Sequence, residues 1–150
     1  MASTVTAQTL QVGITTKITL NGNERNTTNE VSIPNINEYD SRIMTIPSSS
    51  EVTIVNFATA VAAGTFIKGD MKYFQVTNLD AVNYARIRVN KTSAYGFDIQ
   101  LDPGKTFMMG NVKENAFLTS ANFVTFGDAD YIAAQANQAP VDLEYVVAST

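Results

Sequence analysis

The sequence predicts an all-β fold, an antiparallel β-sandwich or jelly roll that forms a single domain. Apolar and polar residues alternate with a period of two in several segments, which is typical of strands with one buried face. Turn-forming residues separate these segments at spacings of roughly ten residues, and no long helical pattern interrupts them. The chain of 150 residues is long enough for one domain with a proper core. We expect about nine or ten strands within residues 10–150, preceded by an N-terminal arm of residues 1–9.

The first strand is predicted to be unusually long. Residues 10–20 carry large apolar side chains at every even position except Thr16, so one face of this strand is expected to be buried. Asn21-Gly22 then predicts a tight turn, and the polar residues 23–30 are expected to form an exposed loop. The segments expected next are edge or loop segments at 33–36 and 46–48, a short strand at 42–46, a buried strand at 52–57, and a loop or helical turn at 58–64.

The central stretch, residues 71–106, predicts three consecutive antiparallel strands. They cover residues 73–78, 84–90 and 96–101. The connections are rich in Asn, Asp and Ser, which favour turns. Closing both hairpins would place Phe74 opposite Ile87, and Ile87 opposite Ile99.

The other face of this sheet holds the candidate protein interface. Arg88 is expected to lie between Tyr73, as a cation–π contact, and Asp98, as an ion pair. With Tyr84 and Arg86 these residues form the one predicted patch that mixes cations with aromatic rings. A solvated sheet face with cross-strand pairs is the commoner role of such a patch. If it binds, a partner protein is favoured over a base-stacking role, because the net charge of the chain is −4.

The last third of the chain predicts further turns and strands. Asp102-Pro103-Gly104-Lys105 has proline and glycine at the positions that a type II turn favours. The expected segments are strand 106–109, turn 110–114, helix or coil 116–121, strand 122–126, turn 127–130 and strands 131–136 and 141–147.

The composition excludes several kinds of chemistry. The chain has no cysteine and no histidine, which excludes disulfides, Ser–His and Cys–His nucleophiles and histidine-based zinc sites. Asp128 and Asp130 have a spacing that suits calcium, but exposed acids in a turn are the simpler interpretation. Asp98 and Asp102 as a glycosidase pair are disfavoured, because Asp98 has a structural role opposite Arg88. We therefore expect no enzymatic activity, no cofactor and no metal.

The charge and the termini bear on partners. The net charge of −4 argues against a general nucleic-acid binder and against docking on anionic lipid. The first ten residues lack the basic start and apolar run of a secretory signal. No apolar run is long enough to span a bilayer.

Several motifs follow one another in a recognisable order over residues 50–150: Gly64-Thr65, residues 71–80, Arg86-Ile87-Arg88, the turn Leu101-Asp102-Pro103-Gly104, and the closing runs 130–136 and 141–148. This order resembles that of small virion structural proteins of tailed bacteriophages, and the first fifty residues match more loosely. The resemblance implies a non-enzymatic sandwich or jelly-roll subunit that decorates or cements a capsid, or that sits in the neck, tail or fibre. Such proteins are commonly homo-oligomers, often trimers. The match is to the framework, so it implies no binding residues.

We therefore expect a decoration or cement subunit on the capsid surface, made in the host cytoplasm and bound to the major capsid protein or other virion proteins. A homotrimer is favoured, and residues 1–9 are expected to reach a neighbour. Neither nucleic acid nor membrane is an expected partner. The alternatives are a neck, tail or fibre component, or a carbohydrate-binding module in which tyrosines such as Tyr39 replace the absent tryptophan.

Overall fold

The computed structural model describes residues 6–60, 62–91, 96–110, 116–118, 121–123 and 129–150, with the backbone alone at 116–118 and 121–123. The described residues form thirteen strands and no helix. The strands are β1 Gln8–Leu20, β2 Asn23–Ile36, β3 Glu38–Ile46, β4 Val52–Ala58, β5 Phe66–Ile67, β6 Met71–Asn78, β7 Ala85–Asn90, β8 Gly96–Leu101, β9 Thr106–Gly110, β10 Ala116–Leu118, β11 Ala121–Phe123, β12 Tyr131–Ala136 and β13 Val141–Ser149.

Two sheets pack face to face and confirm the predicted β-sandwich. One has the strand order β5-β4-β12-β7-β8 and the other the order β3-β13-β6-β9. Their described pairings are antiparallel except for the short β4–β5 pair, which is parallel. Within the described residues, β1 and β2 pair only with each other, as do β10 and β11.

The order of the eight main strands is that of a jelly roll. These strands are, in chain order, β3, β4, β6, β7, β8, β9, β12 and β13, and we number them one to eight. One sheet then has the order 1-8-3-6 and the other the order 2-7-4-5. First pairs with eighth, second with seventh, third with sixth and fourth with fifth, as in one long hairpin folded over into two layers. The chain therefore closes its first and last sandwich strands, β3 and β13, against each other.

The core lies between the two sheets and follows the alternation in the sequence. In β13 the side chains of Val141, Leu143 and Val147 are fully or almost fully buried, whereas Asp142 and Glu144 are exposed. The predicted strand at 141–147 is therefore confirmed, and one of its faces is buried. The other completely buried large side chains include Phe74, Ile87 and Ile132.

Of the two hairpins predicted for residues 71–106, only the second is confirmed. Strands β7 and β8 form the expected hairpin, in which Ile87 lies opposite Ile99. Strand β6, however, belongs to the other sheet, and Phe74 lies opposite Val147 and Met109 instead of Ile87. The chain thus crosses from one sheet to the other between β6 and β7.

The side chain of Asn78 holds this crossing in place. Asn78 is fully buried, and its Nδ2 donates to the backbone carbonyl oxygens of Asn83 at 2.9 Å and Leu101 at 3.0 Å. Its Oδ1 accepts a hydrogen bond from the backbone N–H of Asp80 at 3.0 Å. The Asp80 carboxylate accepts from the N–H groups of Asn83 and Val82, and these bonds lower the pKa of Asp80. The polar loop at residues 79–84, which the sequence predicts to be a hairpin turn, therefore connects the two sheets.

Two predicted turns are confirmed. Asn21 and Gly22 both have positive φ, 50° and 80°, as a two-residue type I′ turn requires. Gly104 has φ 68°, and the N–H of Lys105 donates to the carbonyl of Asp102 at 3.1 Å, as in a type II turn.

Strands β1 and β2 bear on three expectations about the first forty residues. Residues 23–30 are not a loop, because they form the first half of β2 and pair along β1 from Leu20 back to Gly13. The expected edge or loop segment 33–36 is the end of the same strand. The expected burial of one face of residues 10–20 is also wrong, since β1 is exposed from Gly13 to its end.

Some expectations concern residues outside the described part of the chain. These residues include 1–5 of the expected arm, the turn at 111–114, the end of the strand at 122–126, and Asp128 of the calcium alternative. Residues 116–118 are strand, where helix or coil was expected, and pair with β11. Gln8 and Thr9 of the expected arm belong to β1, and Asp130 forms an ion pair with Lys68.

Candidate protein-interaction surfaces

The first candidate surface is an arginine patch on the five-stranded sheet. Arg86 and Arg88 lie on β7, Asp98 lies opposite Arg88 on β8, and Glu51 approaches from the residue before β4. Tyr84 directly precedes β7 and is 37% exposed. The structure therefore brings together three of the five predicted interface residues, places Tyr84 beside them, and adds Glu51, which lacks a sequence signal.

The charges of the arginine patch are paired within the patch. Arg88 binds Asp98 in a bidentate manner, with Nε–Oδ1 and NH2–Oδ2 distances of 2.7 and 2.8 Å. Glu51 Oε2 accepts from Arg86 at 2.9 Å and forms an ion pair with Arg88 at 3.1 Å. The hydrogen bond to Asp98 raises the pKa of Arg88, and the same bond lowers the pKa of Asp98. An acidic partner would have to compete with these two carboxylates, so the patch is a poor anion site.

Tyr73, the fifth predicted interface residue, lies elsewhere. It is on β6 in the four-stranded sheet, is 5% exposed, and packs with Ile33, Ile36 and Ala148. The expected cation–π contact with Arg88 is therefore wrong. The strand beside Arg88 on that side is β12 and not β6. The prediction that β6 and β7 form a hairpin relied on the short polar loop after β6. Such a loop is equally compatible with a crossing from one sheet to the other.

The second candidate surface is the ribbon, defined as the paired residues 13–20 of β1 and 23–30 of β2. Directly opposed residues of an antiparallel pair point to the same side, so the register assigns every side chain to one of two faces. One face is apolar, with Ile14, Ile18 and Leu20 accompanied by Thr16, Asn23, Arg25, Thr27 and Asn29. The other face is polar, with Thr15, Lys17, Thr19, Glu24, Asn26, Thr28 and Glu30 around Gly13.

The apolar face of the ribbon is continuous with apolar side chains that pack on the sandwich. These side chains lie at the base of the ribbon, which we define as the paired residues 10–12 and 31–33. There Leu10, Val12 and Ile33 pack against Tyr73 and Ala148 on the outer face of the four-stranded sheet. Beyond this contact the same face runs into solvent.

The exposure of the ribbon is large for apolar side chains. Ile14, Ile18 and Leu20 are 42%, 48% and 52% exposed. An isolated two-stranded ribbon is marginally stable at best in water, and neighbouring exposed apolar side chains mark interaction sites. The ribbon is therefore a surface that a partner would cover.

The third candidate surface is a groove of about 530 Å³ between β3, at the edge of one sheet, and β4 and β5, at the edge of the other. Asp40 accepts hydrogen bonds there from the Tyr145 hydroxyl at 3.0 Å and from Arg42, whose ion pair measures 2.9 Å. Burial first, and then the bond to Asp40, raise the pKa of Tyr145 to about 12. The phenol therefore stays protonated at neutral pH, which suits hydrogen bonding and not base catalysis. Tyr39 also lines the groove, but its register opposite Ala148 places its side chain on the outer face of the four-stranded sheet, away from Asp40 and Arg42.

The described residues provide neither a metal site nor a membrane-spanning helix. No three His, Cys, Asp or Glu side chains in the described ranges lie together where they could hold a metal ion. Nor do those ranges contain a helix long and apolar enough to cross a membrane.

Comparisons of the chain with models of protein families, with curated proteins and with solved structures gave no match. The function must therefore be argued from the fold and from these three surfaces.

Proposed function

We propose that this protein is a non-enzymatic structural subunit of a tailed-bacteriophage virion, a decoration or cement protein that holds neighbouring capsid subunits together. The observation that carries the proposal is the ribbon, whose exposed apolar face extends from a closed sandwich. A subunit that joins neighbours needs a folded core and an exposed apolar surface, and the chain has both. The partners are the major capsid protein and further copies of the chain, with a trimer favoured.

The jelly-roll topology supports this proposal without deciding it. Jelly rolls occur in viral capsid proteins, lectins and cupins, so the fold alone does not select a function. Cupin-like metal chemistry usually depends on histidine ligands, and this chain contains no histidine. The ribbon favours an assembly role over the remaining possibilities, because its exposed isoleucines and leucine are suited to a protein surface and not to a sugar.

Co-sedimentation with assembled capsids of the virus that encodes the chain tests the proposal. We expect the unaltered chain to pellet with capsids at a saturable, fixed ratio, because each lattice position offers one equivalent site. Ile14→Asp should abolish binding, since it places a charge in the apolar face of the ribbon. Thr15→Asp is the matched control, because Thr15 is adjacent but lies on the polar face.

Two results would contradict the proposal. One is failure of the unaltered chain to bind assembled capsids, purified heads and complete virions alike. The other is equal binding by Ile14→Asp and the unaltered chain. Deleting residues 1–7 tests the separate prediction about the N-terminal arm while leaving β1 intact.

The groove favours glycan binding as a second candidate. Asp40, Arg42 and Asn56 line the groove and offer hydrogen bonds of the kind that sugars use. Saturation-transfer NMR with a glycan panel should then show binding that Arg42→Ala removes. Absence of any signal with the unaltered chain would dismiss this candidate.

A further inference from the structure

We propose that the partner of the ribbon is a second copy of this chain, and that the ribbon of one copy lies on the outer face of the four-stranded sheet of the next. This inference rests on the proposed function, because it names the contact that would build the homo-oligomer. It is argued from three features of the described residues: the contact at the ribbon base, the charges on the two surfaces, and their area.

The contact at the base shows that the two surfaces are complementary. Leu10, Val12 and Ile33 of the apolar face already pack on Tyr73 and Ala148 of the outer face within one chain. The outer face then continues past this contact and stays open. Ile43 on β3 is 60% exposed and Met108 on β9 is 39% exposed. Both the apolar face of the ribbon and the outer face of the sheet thus extend beyond the part that the single chain buries.

The charges on the two surfaces are opposite. Arg25 is the one charged side chain on the apolar face of the ribbon. Asp142 and Glu144 are the charged side chains on the strands of the outer face. Asp142 accepts a hydrogen bond from the Thr45 hydroxyl at 2.6 Å, whereas neither Arg25 nor Glu144 takes part in an ion pair within the described residues.

The register pairs each of these charges with an exposed isoleucine. Arg25 lies directly opposite Ile18 on the ribbon, and Glu144 lies directly opposite Ile43 on the sheet. Side chains opposed in this way have Cβ atoms about 5 Å apart. When Arg25 of one copy meets Glu144 of another, Ile18 therefore lies against Ile43. One ion pair and one apolar contact are made together.

The area of one ribbon face is small, which favours an exchange in which every copy both donates a ribbon and receives one. The ribbon has eight opposed pairs, so it is about 27 Å long and about 10 Å wide. One face therefore covers roughly 270 Å², and a copy that gives one ribbon and receives another buries roughly 540 Å². That sum lies below the range for one specific contact, about 600–1,000 Å² per partner, and in a ring of three it is divided between two contacts of roughly 270 Å² each. Association should therefore depend on concentration, and the closed ring of a trimer would use every ribbon.

Light scattering of the full chain over a series of concentrations tests the inference. We expect self-association by the unaltered chain and by Thr19→Asp, which changes the polar face, and a monomer with Ile18→Asp. Arg25→Glu or Glu144→Arg alone should weaken association about tenfold, because like charges then meet. The double variant should restore it to within about threefold. Failure of the double variant to recover would overturn the contact, and circular dichroism checks that each variant is folded.

Disulfide trapping locates the contact independently, since the chain has no cysteine of its own. Mixing Ile18→Cys with Ile43→Cys should give a linked pair between the two variants, whereas Thr19→Cys mixed with Ile43→Cys should give none. Links only between two Ile18→Cys chains would mean that ribbon packs on ribbon and would overturn the inference. A chain that is monomeric at every concentration but still pellets with capsids would overturn it while leaving the proposed function intact. Self-association with charge rescue but without capsid binding would leave the inference intact and overturn the virion role.

Discussion

The fold should depend strongly on Asn78, because this side chain joins the two sheets at the crossing from β6 to β7. Asn78→Ala removes two donated hydrogen bonds and one accepted bond. The Leu101 carbonyl is buried with this bond, so losing its donor should cost about 1–3 kcal/mol. The bonds to Asn83 and Asp80 are partly buried and should add about 0.5–1.5 kcal/mol each. We expect a total loss of about 2–6 kcal/mol in the free energy of unfolding.

Urea denaturation measures this loss directly. Circular dichroism or tyrosine fluorescence can follow unfolding, since the chain has six tyrosines and no tryptophan. With a slope of about 2 kcal/mol per molar urea, the midpoint should fall by about 1–3 M. Asn56→Ala is the matched control, because Asn56 is also in a strand but is exposed, and it should change stability by less than about 0.5 kcal/mol. If Asn78→Ala were no more destabilising than Asn56→Ala, the argument that Asn78 holds the crossing would be wrong.

Two further predictions concern stability. Because the pKa of Asp98 is lower in the folded chain than its ordinary value of about 3.9, its pair with Arg88 stabilises the fold above that value, and the contribution disappears as pH falls through the lowered pKa. Asp98→Asn should therefore cost about 1 kcal/mol at pH 7, discounted for the exposure of the pair, and almost nothing once the pH is below the lowered pKa; a difference in urea midpoint that does not shrink as the pH falls would contradict this. Gly110→Ala would bring a Cβ to 2.6 Å from Cδ2 of the buried Tyr73, so thermal and urea unfolding should show a loss of about 1–3 kcal/mol. Gly69→Ala is its control, since a Cβ at Gly69 would meet no atom within 4 Å, and equal losses in both variants would refute the steric argument.

The candidate surfaces differ in how far the sequence could predict them. The ion pair between Arg88 and Asp98 was predictable, because two alternating segments joined by a short polar loop have one register that aligns their apolar faces. Glu51 was not, since its approach to Arg86 depends on where β4 lies in the sheet. Of the ribbon, the sequence predicted the strand β1 and the turn at its end, but not the pairing of residues 23–30 with β1. Asn21-Gly22 and the alternation of β1 were visible, but residues 23–30 are polar on both faces and carry no apolar alternation.

Local sequence patterns predict most strands of the sandwich, the two tight turns and the pairing of β7 with β8. These features depend on contacts between residues close in the chain and on the backbone preferences of Asn, Gly and Pro. The sheet that each strand joins depends instead on long-range packing, because alternation identifies a buried face and not the neighbouring strand. Tyr73 illustrates the difference. Its place in a strand follows from the sequence, but its burial under the ribbon base, away from Arg88, follows from Asn78 turning the chain into the opposite sheet. The exposure of Ile14, Ile18 and Leu20 was decided in the same way, since their strand pairs only with β2 and extends past the sheet that covers its base.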